Sequence, residues 1–316
     1  MNNRLIAILL SAALWSPLVN SANADSLSGW GNNAAGEINV PAGFNFTAIA
    51  AGYTHNLAIK TDGSLVAWGS NGQGQTNVPA GNDYTAISAG DALSLALKSD
   101  GSLAAWGRNN SGQADVPAGN DFTAIAAGYY HGLALKADGS LEAWGQNDKG
   151  QTNVPVGNDF TAVAAGYLHS LAIKTDGSLV GWGDNTQAQT NVPIGTFSAV
   201  AAGFYHSVAL RTDGSLVAWG ENSTGQTNVP AGNDFIAIAA GRLHNLAIRA
   251  DGSLVGWGWN GHDQINVPAG FNFTAIAGGD NHSIALQAIP EPAGLVLAAS
   301  ALLLVISVKS GSRGNR

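Results

Sequence analysis

"HNLAIKTDGSLVAWG", residues 55–69, holds two alternating apolar runs joined through Asp62-Gly63. Alternation with period two marks half-buried strands, and Asp-Gly between two such runs is a strong hairpin signal, expected here as a turn with φ > 0 at both central residues. The stretch recurs. Trp-Gly pairs start at Trp30, Trp68, Trp106, Trp144, Trp182, Trp219 and Trp257, in steps of 38, 38, 38, 38, 37 and 38 residues. A fixed period near 40 with strand-like content reads as a propeller or a solenoid. Within a unit, "FTAIAAG" is a short apolar first strand, "HNLAIK" a second and "SLVAWG" a third. "QTNVP" (75–79) is expected to be a fourth, outer strand, because proline is tolerated mainly at sheet edges. Four antiparallel strands per repeat make a propeller blade, so the fold class is all-β.

The first and last copies arrive as halves. The chain carries "SLSGWGNNAAGEINVP" at 26–41, the second half of a repeat, and "FTAIAGGDNHSIALQ" at 273–287, the first half. Joined, they make one repeat that lacks only its Asp-Gly turn. The six internal repeats and this composite predict a seven-bladed β-propeller over 25–288 whose last blade is closed by both termini. Closure leaves few free sheet edges.

The segment "AGYTHNLAIKTDGSLVAWGSNGQGQTNVP" (51–79) resembles an RCC1-type repeat, and the resemblance covers essentially all of 25–288. It implies the seven-bladed fold. For function it implies less, because propellers host unrelated activities. The family's eukaryotic namesake is a chromatin-bound nucleotide-exchange factor. The repeats also resemble those of a secreted β-lactamase-inhibitor propeller, which works by binding another protein.

The two ends read as addresses. Arg4, the apolar run "LIAILLSAALW" (5–15) and the small-residue site Ala22-Asn23-Ala24 describe a secretory signal peptide over 1–24. At the other end Pro290-Glu291-Pro292 precedes the apolar run "AGLVLAASALLLVISV" (293–308) and the basic residues Lys309, Arg313 and Arg316. Sixteen apolar residues fall just under the roughly 17 to 25 of a comfortable span. This 289–316 tail resembles the PEP-CTERM sorting signal of Gram-negative bacteria. The resemblance implies an exosortase-type processing enzyme as a partner, a transient inner-membrane tether, and a destination at the cell surface, in the extracellular matrix or in secreted form. The other reading is an ordinary membrane anchor. Either one puts the propeller outside the cytoplasm.

Composition narrows the functions. There is no cysteine, so neither disulfides nor thiol chemistry are available. Residues 25–288 carry 20 acidic and 9 basic side chains, hence 9 − 20 = −11, the wrong sign for binding phosphate backbones. Nucleic acid is excluded as a partner.

Repetition separates structure from function. A residue present at one slot in every blade serves what all blades share, and a binding site has to break the pattern. The seven Trp-Gly tryptophans are therefore read as interblade core, with indole N–H groups satisfied locally. His55, His131, His169, His206, His244 and His282, with Leu93 in the seventh slot, are read as buried histidines bonded to backbone. One per blade around a wide ring, they are too dispersed to hold a metal ion, so no metal and no cofactor is expected. Ser170 and Ser207 each follow a histidine, but strand neighbours point to opposite faces and form no catalytic pair. The Asp of each Asp-Gly turn, such as Asp62 and Asp176, is explained by the turn. No enzymatic activity is expected.

The pattern breaks in the two residues between Gly and His: Tyr53-Thr54, Asp91-Ala92, Tyr129-Tyr130, Tyr167-Leu168, Phe204-Tyr205, Arg242-Leu243 and Asp280-Asn281. This loop joins the first and second strands, and the loop after the third strand shares its face, adding Arg108, Lys149, Glu221, Trp259, His262 and Asp263. Aromatics and arginine in loops are what binding hot spots are made of. Tyr53, Tyr129, Tyr130, Tyr167, Phe204, Tyr205, Arg242 and Trp259 are the candidate binding residues; the competing reading is that the rings plug the central channel. The expected function is that of a secreted or surface-exposed monomeric scaffold binding a protein or an exopolysaccharide. The alternatives are an inhibitor of a secreted enzyme and a hydrolase or lyase using a loop-face pocket.

Overall fold

The computed structural model describes residues 26–42 and 45–288. The cleavage-site residues Ala22 and Ala24, the motif Pro290-Glu291-Pro292 and the run 293–308 lie outside the described residues. Among the described residues every regular element is a β-strand, and no helix is long and apolar enough to cross a membrane.

Seven three-stranded antiparallel sheets form the ring. Blade 1 is Phe46–Ala51, His55–Lys60 and Leu65–Gly69. Blade 2 is Tyr84–Ala89, Leu93–Lys98 and Leu103–Gly107. Blade 3 is Phe122–Ala127, His131–Lys136 and Leu141–Gly145. Blade 4 is Phe160–Ala165, His169–Lys174 and Leu179–Gly183. Blade 5 is Phe197–Ala202, His206–Arg211 and Leu216–Gly220. Blade 6 is Phe235–Ala240, His244–Arg249 and Leu254–Gly258. Blade 7 takes Phe273–Gly278 and His282–Gln287 from one end of the chain and Ser26–Gly31 from the other. In that blade Ser26 pairs with Gln287 and Gly31 with His282, so the composite repeat is a real sheet.

Each middle strand is buried on both faces because it is clamped between two blades. In blade 1, Leu57 and Ile59 pack with Ile87 and Ala96 of blade 2. The intervening Ala58 receives Ile284 and Leu286 of blade 7. Large side chains on one face and alanine on the other let adjacent blades approach closely, and the Leu-Ala-Ile order of the repeat encodes this.

Four expectations differ from the structure. The "QTNVP" segments are not strands; each blade has three. Their backbone groups are consumed inside a compact loop: Thr76 N–H donates to Asn71 Oδ1, Asn71 Nδ2 to Asn77 Oδ1, and Gln73 N–H to Gln75 Oε1. Val78 N–H donates to Thr76 O, and Pro79 has no N–H to offer a ladder. The Asp-Gly turn also differs from expectation. Gly63 has φ 80°, whereas Asp62 is not among the positive-φ residues. Gly63 N–H donates to Lys60 O, and Lys60 N–H to Ser64 O. That is a type I turn followed by a glycine bulge, the three-residue hairpin. Asp62 accepts from Ser64 N–H and Oγ, at 2.9 and 2.6 Å, which explains the Asp-Gly-Ser order.

The tryptophan N–H groups are satisfied, but not locally. Trp68 donates to Glu37 O, and Trp106 to Gln75 O, each 31 residues earlier in the loop that follows the preceding blade. The same carbonyl accepts from the residue after the histidine slot, as Ser94 Oγ does with Gln75 O and Asn56 Nδ2 with Glu37 O.

That residue is also the partner of the histidine one blade back, which replaces the expected backbone partner. His55 Nε2 meets Ser94 Oγ at 3.0 Å, His131 meets Ser170, His169 meets Ser207, His206 meets Asn245, His244 meets Ser283, and His282 closes the ring on Asn56 at 2.8 Å. Adjacent His and Ser of one strand do not pair, as expected; His and Ser of successive blades do. The serine hydrogens are already committed to loop carbonyls, so the imidazoles donate from Nε2. Nδ1 of His55, His131, His169, His206 and His244 is left buried without a partner. Burial accordingly pushes the imidazole pKa values down, to about 4 in His55, His131 and His206 and about 3 in His169, His244 and His282.

The belt is interrupted between blades 2 and 3, where Leu93 fills the histidine slot and Gly132 the serine slot. A Cβ on Gly132 would collide with the indole of Trp144. Ser88, which replaces alanine only in this blade, accepts from Ala127 N–H at 2.9 Å and restores a polar link across the seam.

Candidate functional site

The loop from inner to middle strand is fixed by backbone. Gly52 N–H donates to His55 O at 2.8 Å, and a Cβ on Gly52 would strike the carbonyl oxygen of Gly90 and the His55 ring. Tyr53 N–H then donates to Gly90 O of the next blade, and the ring closes with Asp280 N–H donating to Tyr53 O. This fixed path carries the first residue of each pair over the central channel. Tyr53, Asp91, Tyr129, Tyr167, Phe204, Arg242 and Asp280 all line one central cavity of about 190 Å³, together with the Ala and Gly ends of the inner strands. The second residues, Tyr130 and Tyr205 among them, lie off the cavity.

The structure gathers six of the candidate aromatics into one half-buried cluster. Tyr129 stands edge-to-face with Tyr53, Tyr130, Tyr167 and Phe204, at centroid distances of 5.8, 4.5, 4.7 and 6.0 Å. Tyr167 stacks on Phe204 at 3.9 Å and 18°, and Tyr205 meets both rings edge-on. Tyr129 is thus a plug over the channel, and Tyr130 and Tyr205 extend the cluster outward over the rim. The first residues of the pairs face the channel, whereas Tyr130 and Tyr205 do not.

Two carboxylates complete the mouth. Asp91 and Asp280 are buried at 7% and 6% exposure, and each is ion-paired, Asp91 with Arg108 and Asp280 with Arg242 at 3.3 Å. Burial holds both carboxyls above their ordinary range, and the arginines and tyrosine hydroxyls partly offset it. The Tyr129 hydroxyl favours the charged form of Asp91 and the Tyr53 hydroxyl that of Asp280. Burial, and then Asp91, push the Tyr129 phenol well up, so its hydroxyl keeps its proton at the mouth. The arginines also cover rings: Arg242 sits 4.9 Å from the Phe204 centroid and 6.0 Å from Tyr53, and Arg108 5.7 Å from Tyr130. Their Nε atoms are buried without partners.

Trp259 is not brought into the cluster. It packs edge-on against His262 at 5.3 Å, in the loop after the outer strand of blade 6, on the side of the mouth nearest Asp280. Asp91, Asp280 and Arg108 belong to the site although they were not among the candidates. Their signal was present: acidic residues break an aromatic slot, and an arginine sits in the second loop of the same blade as Asp91.

The regulator of chromosome condensation (RCC1) repeat family matches this chain at residues 46–75, 84–113, 122–151, 160–189, 197–226 and 235–264. A comparison with curated proteins finds no match. Among solved structures, Prp20p from Saccharomyces cerevisiae, described with its binding properties to Gsp1p and histones, is similar at TM-score 0.72 and 19% identity, covering 90% of this chain and 96% of that one. Yeast RCC1 (Prp20) in its structure with Kap60 gives TM-score 0.75 at 18% identity, over 89% and 93% of the two chains. Human WBSCR16 gives 0.70 at 18%, over 84% and 99%. With six repeats matched and the same propeller built, this chain belongs to the RCC1 repeat family.

Proposed function

We propose that this chain is a binding module, presented outside the cytoplasm, that takes a partner protein at the mouth of the propeller. The observation that carries the reading is the contrast between slots. Trp, Asp-Gly and the histidine belt repeat around the ring, while the mouth positions are Tyr, Asp, Tyr, Tyr, Phe, Arg and Asp. The leader and tail sequences support export. Protein is favoured over exopolysaccharide because the rings occupy one another's faces; what they offer outward are edges, hydroxyls and arginine-flanked rims, which suit side chains better than sugar stacking. The acidic balance of the domain favours a partner with a basic surface. Binding rather than catalysis is supported by the pairing of both buried carboxylates with arginine. An enzyme inhibitor would use this same surface.

The test compares immobilised wild-type 25–288 domain with a Tyr130→Ala/Tyr205→Ala variant against secreted proteins and against polysaccharide. The variant is expected to keep its melting temperature and to lose about 1–4 kcal/mol of binding to a protein partner, the usual cost of aromatic hot spots. Tyr129→Ala, which loosens four ring contacts, is expected to lower the melting temperature instead. A double variant that melts several degrees lower and binds like wild type would show that all these rings are plugs.

A further inference from the structure

The opposite end of the ring breaks the pattern too, and in one chemical direction. The large exposed apolar side chains among the described residues are Val156, Ile194, Ile236 and Phe271, exposed 102%, 98%, 44% and 59%. All four lie at the Asp-Gly end. Val156, Ile194 and Phe271 sit in the loops that enter blades 4, 5 and 7, beside the previous blade's turn: Phe160 N–H donates to Gly139 O, Phe197 N–H to Gly177 O, and Phe273 N–H to Gly252 O. Ile236 is the bulged second residue of the inner strand of blade 6. Elsewhere these slots hold Ala80, Ala118, Ala231 and Ala269 in place of Val156 and Ile194, mostly threonine in place of Ile236, and mostly asparagine in place of Phe271. Among the described residues the substitutions fall on four consecutive blades and form an arc along one side of the ring; the slot of Phe271 also holds Phe44 before blade 1, which lies outside the described residues.

The chain leaves the propeller at the end of that arc. Ala288 N–H donates to Asn272 O, and Gln287 Nε2 donates to Phe271 O, both next to Phe271. Four residues, 289–292, separate Ala288 from the sixteen-residue apolar run 293–308. Four residues reach at most about 14 Å, so an apolar run in a bilayer would bring the arc to the bilayer surface.

We infer that the Asp-Gly end of the propeller rests on a lipid bilayer in a tilted pose, with Val156, Ile194, Ile236 and Phe271 as its contact arc. Single apolar tips on three separate loops and one strand bulge fit a soft planar surface, whereas a helix or a second chain needs a continuous groove. The mouth with its aromatic cluster then faces away from the membrane, free for a partner. The inference stands on the opposite end of the ring from the proposed binding site and does not depend on it.

The experiment uses the full chain in phosphatidylcholine vesicles, a zwitterionic lipid chosen because the Asp-Gly turns make this end rich in carboxylates. The chain has no cysteine, so single cysteines at Val156, Ile194, Ala80, Ala118 and Tyr130 carry a fluorophore that nitroxide lipids quench. Quenching is expected to be several-fold stronger at 156 and 194 than at 80 and 118, which share the end but not the arc, and absent at 130. Equal quenching at all four Asp-Gly-end positions would mean a tether alone, and strongest quenching at 130 the reverse orientation; either overturns the inference. So would cross-linked dimers through Val156→Cys in place of lipid quenching. In a second arm the label is at Thr175→Cys. The combined variant Val156→Ala, Ile194→Ala, Ile236→Thr and Phe271→Asn installs residues that other blades carry; it is expected to melt like wild type and to lose most of the Thr175→Cys quenching. Unchanged quenching there would also overturn the inference.

Discussion

Deleting residues 26–41 is expected to unfold the whole ring, not to trim one blade. The segment supplies the outer strand of blade 7, the Trp30 indole bonded to Gln264 O, and the Glu37 carbonyl that accepts from both Trp68 and Asn56. Its loss bares the edge of the His282–Gln287 strand and uncovers Ile284, Leu286 and Trp68, now packed in one cluster. At about 1.5–3 kcal/mol for each large side chain returned to water, the cost is on the order of 5–10 kcal/mol, as large as the whole stability of an ordinary domain. The expected product is an aggregating chain without a cooperative thermal transition. A monomeric truncation with unchanged melting would mean that the two ends do not close the ring.

Acid is expected to undo the same ring from inside. Six belt histidines are held neutral, with folded pKa values of about 3 to 4 against roughly 6.5 in the unfolded chain. Because the folded values are depressed, the unfolded state binds protons first; stability is complete above pH 6.5 and falls as pH drops towards 4. Each histidine costs about 2 kcal/mol at pH 5, and the six together on the order of 10 kcal/mol. Urea midpoints measured from pH 7 to 4.5 are expected to fall steeply, ahead of the range in which the turn aspartates titrate. Copying the Leu93/Gly132 pair as His131→Leu/Ser170→Gly is expected to shallow the slope by one proton, about 1.4 kcal/mol per pH unit. A flat profile over this range would mean that the histidines are not neutral and buried.

Much of this architecture is legible in one chain because the repeats act as their own controls. The Trp-Gly period and the two half-copies are enough for blade number and closure. Residue types mislead where one signature serves two geometries. Asp-Gly suits a type I′ turn and equally a type I turn with a glycine bulge, and the φ values and the backbone bonds Gly63 N–H to Lys60 O and Lys60 N–H to Ser64 O separate them. Residues 75–79 look like an edge strand until Asn71, Gln75 and Asn77 are seen to tie their own backbone into a loop. The histidine belt joins residues 38 or 39 apart, and 226 apart where His282 meets Asn56, beyond any local pattern, yet it left a trace: where the histidine becomes Leu93, the partner slot in the following blade becomes Gly132. At the mouth, the variable pairs were visible as a set. Which member of each pair faces the axis depends on the hydrogen-bonded path from Gly52 to the neighbouring Gly90, and that needs the ring. The same dependence hid the pairing of Asp91 and Asp280 with arginine.

The proposal that the unrepeated mouth, with Tyr130 and Tyr205 beside it, is the binding surface predicts where a partner makes contact. It is tested most directly by placing a photo-crosslinking amino acid at Tyr130 or Tyr205, and as a control at Ala118 on the Asp-Gly end, and exposing each protein to the secreted fraction of its own source. Crosslinks to a discrete protein from Tyr130 and Tyr205, and none from Ala118, are the expected result. Crosslinks from Ala118 alone, or polysaccharide adducts without any protein, would contradict it.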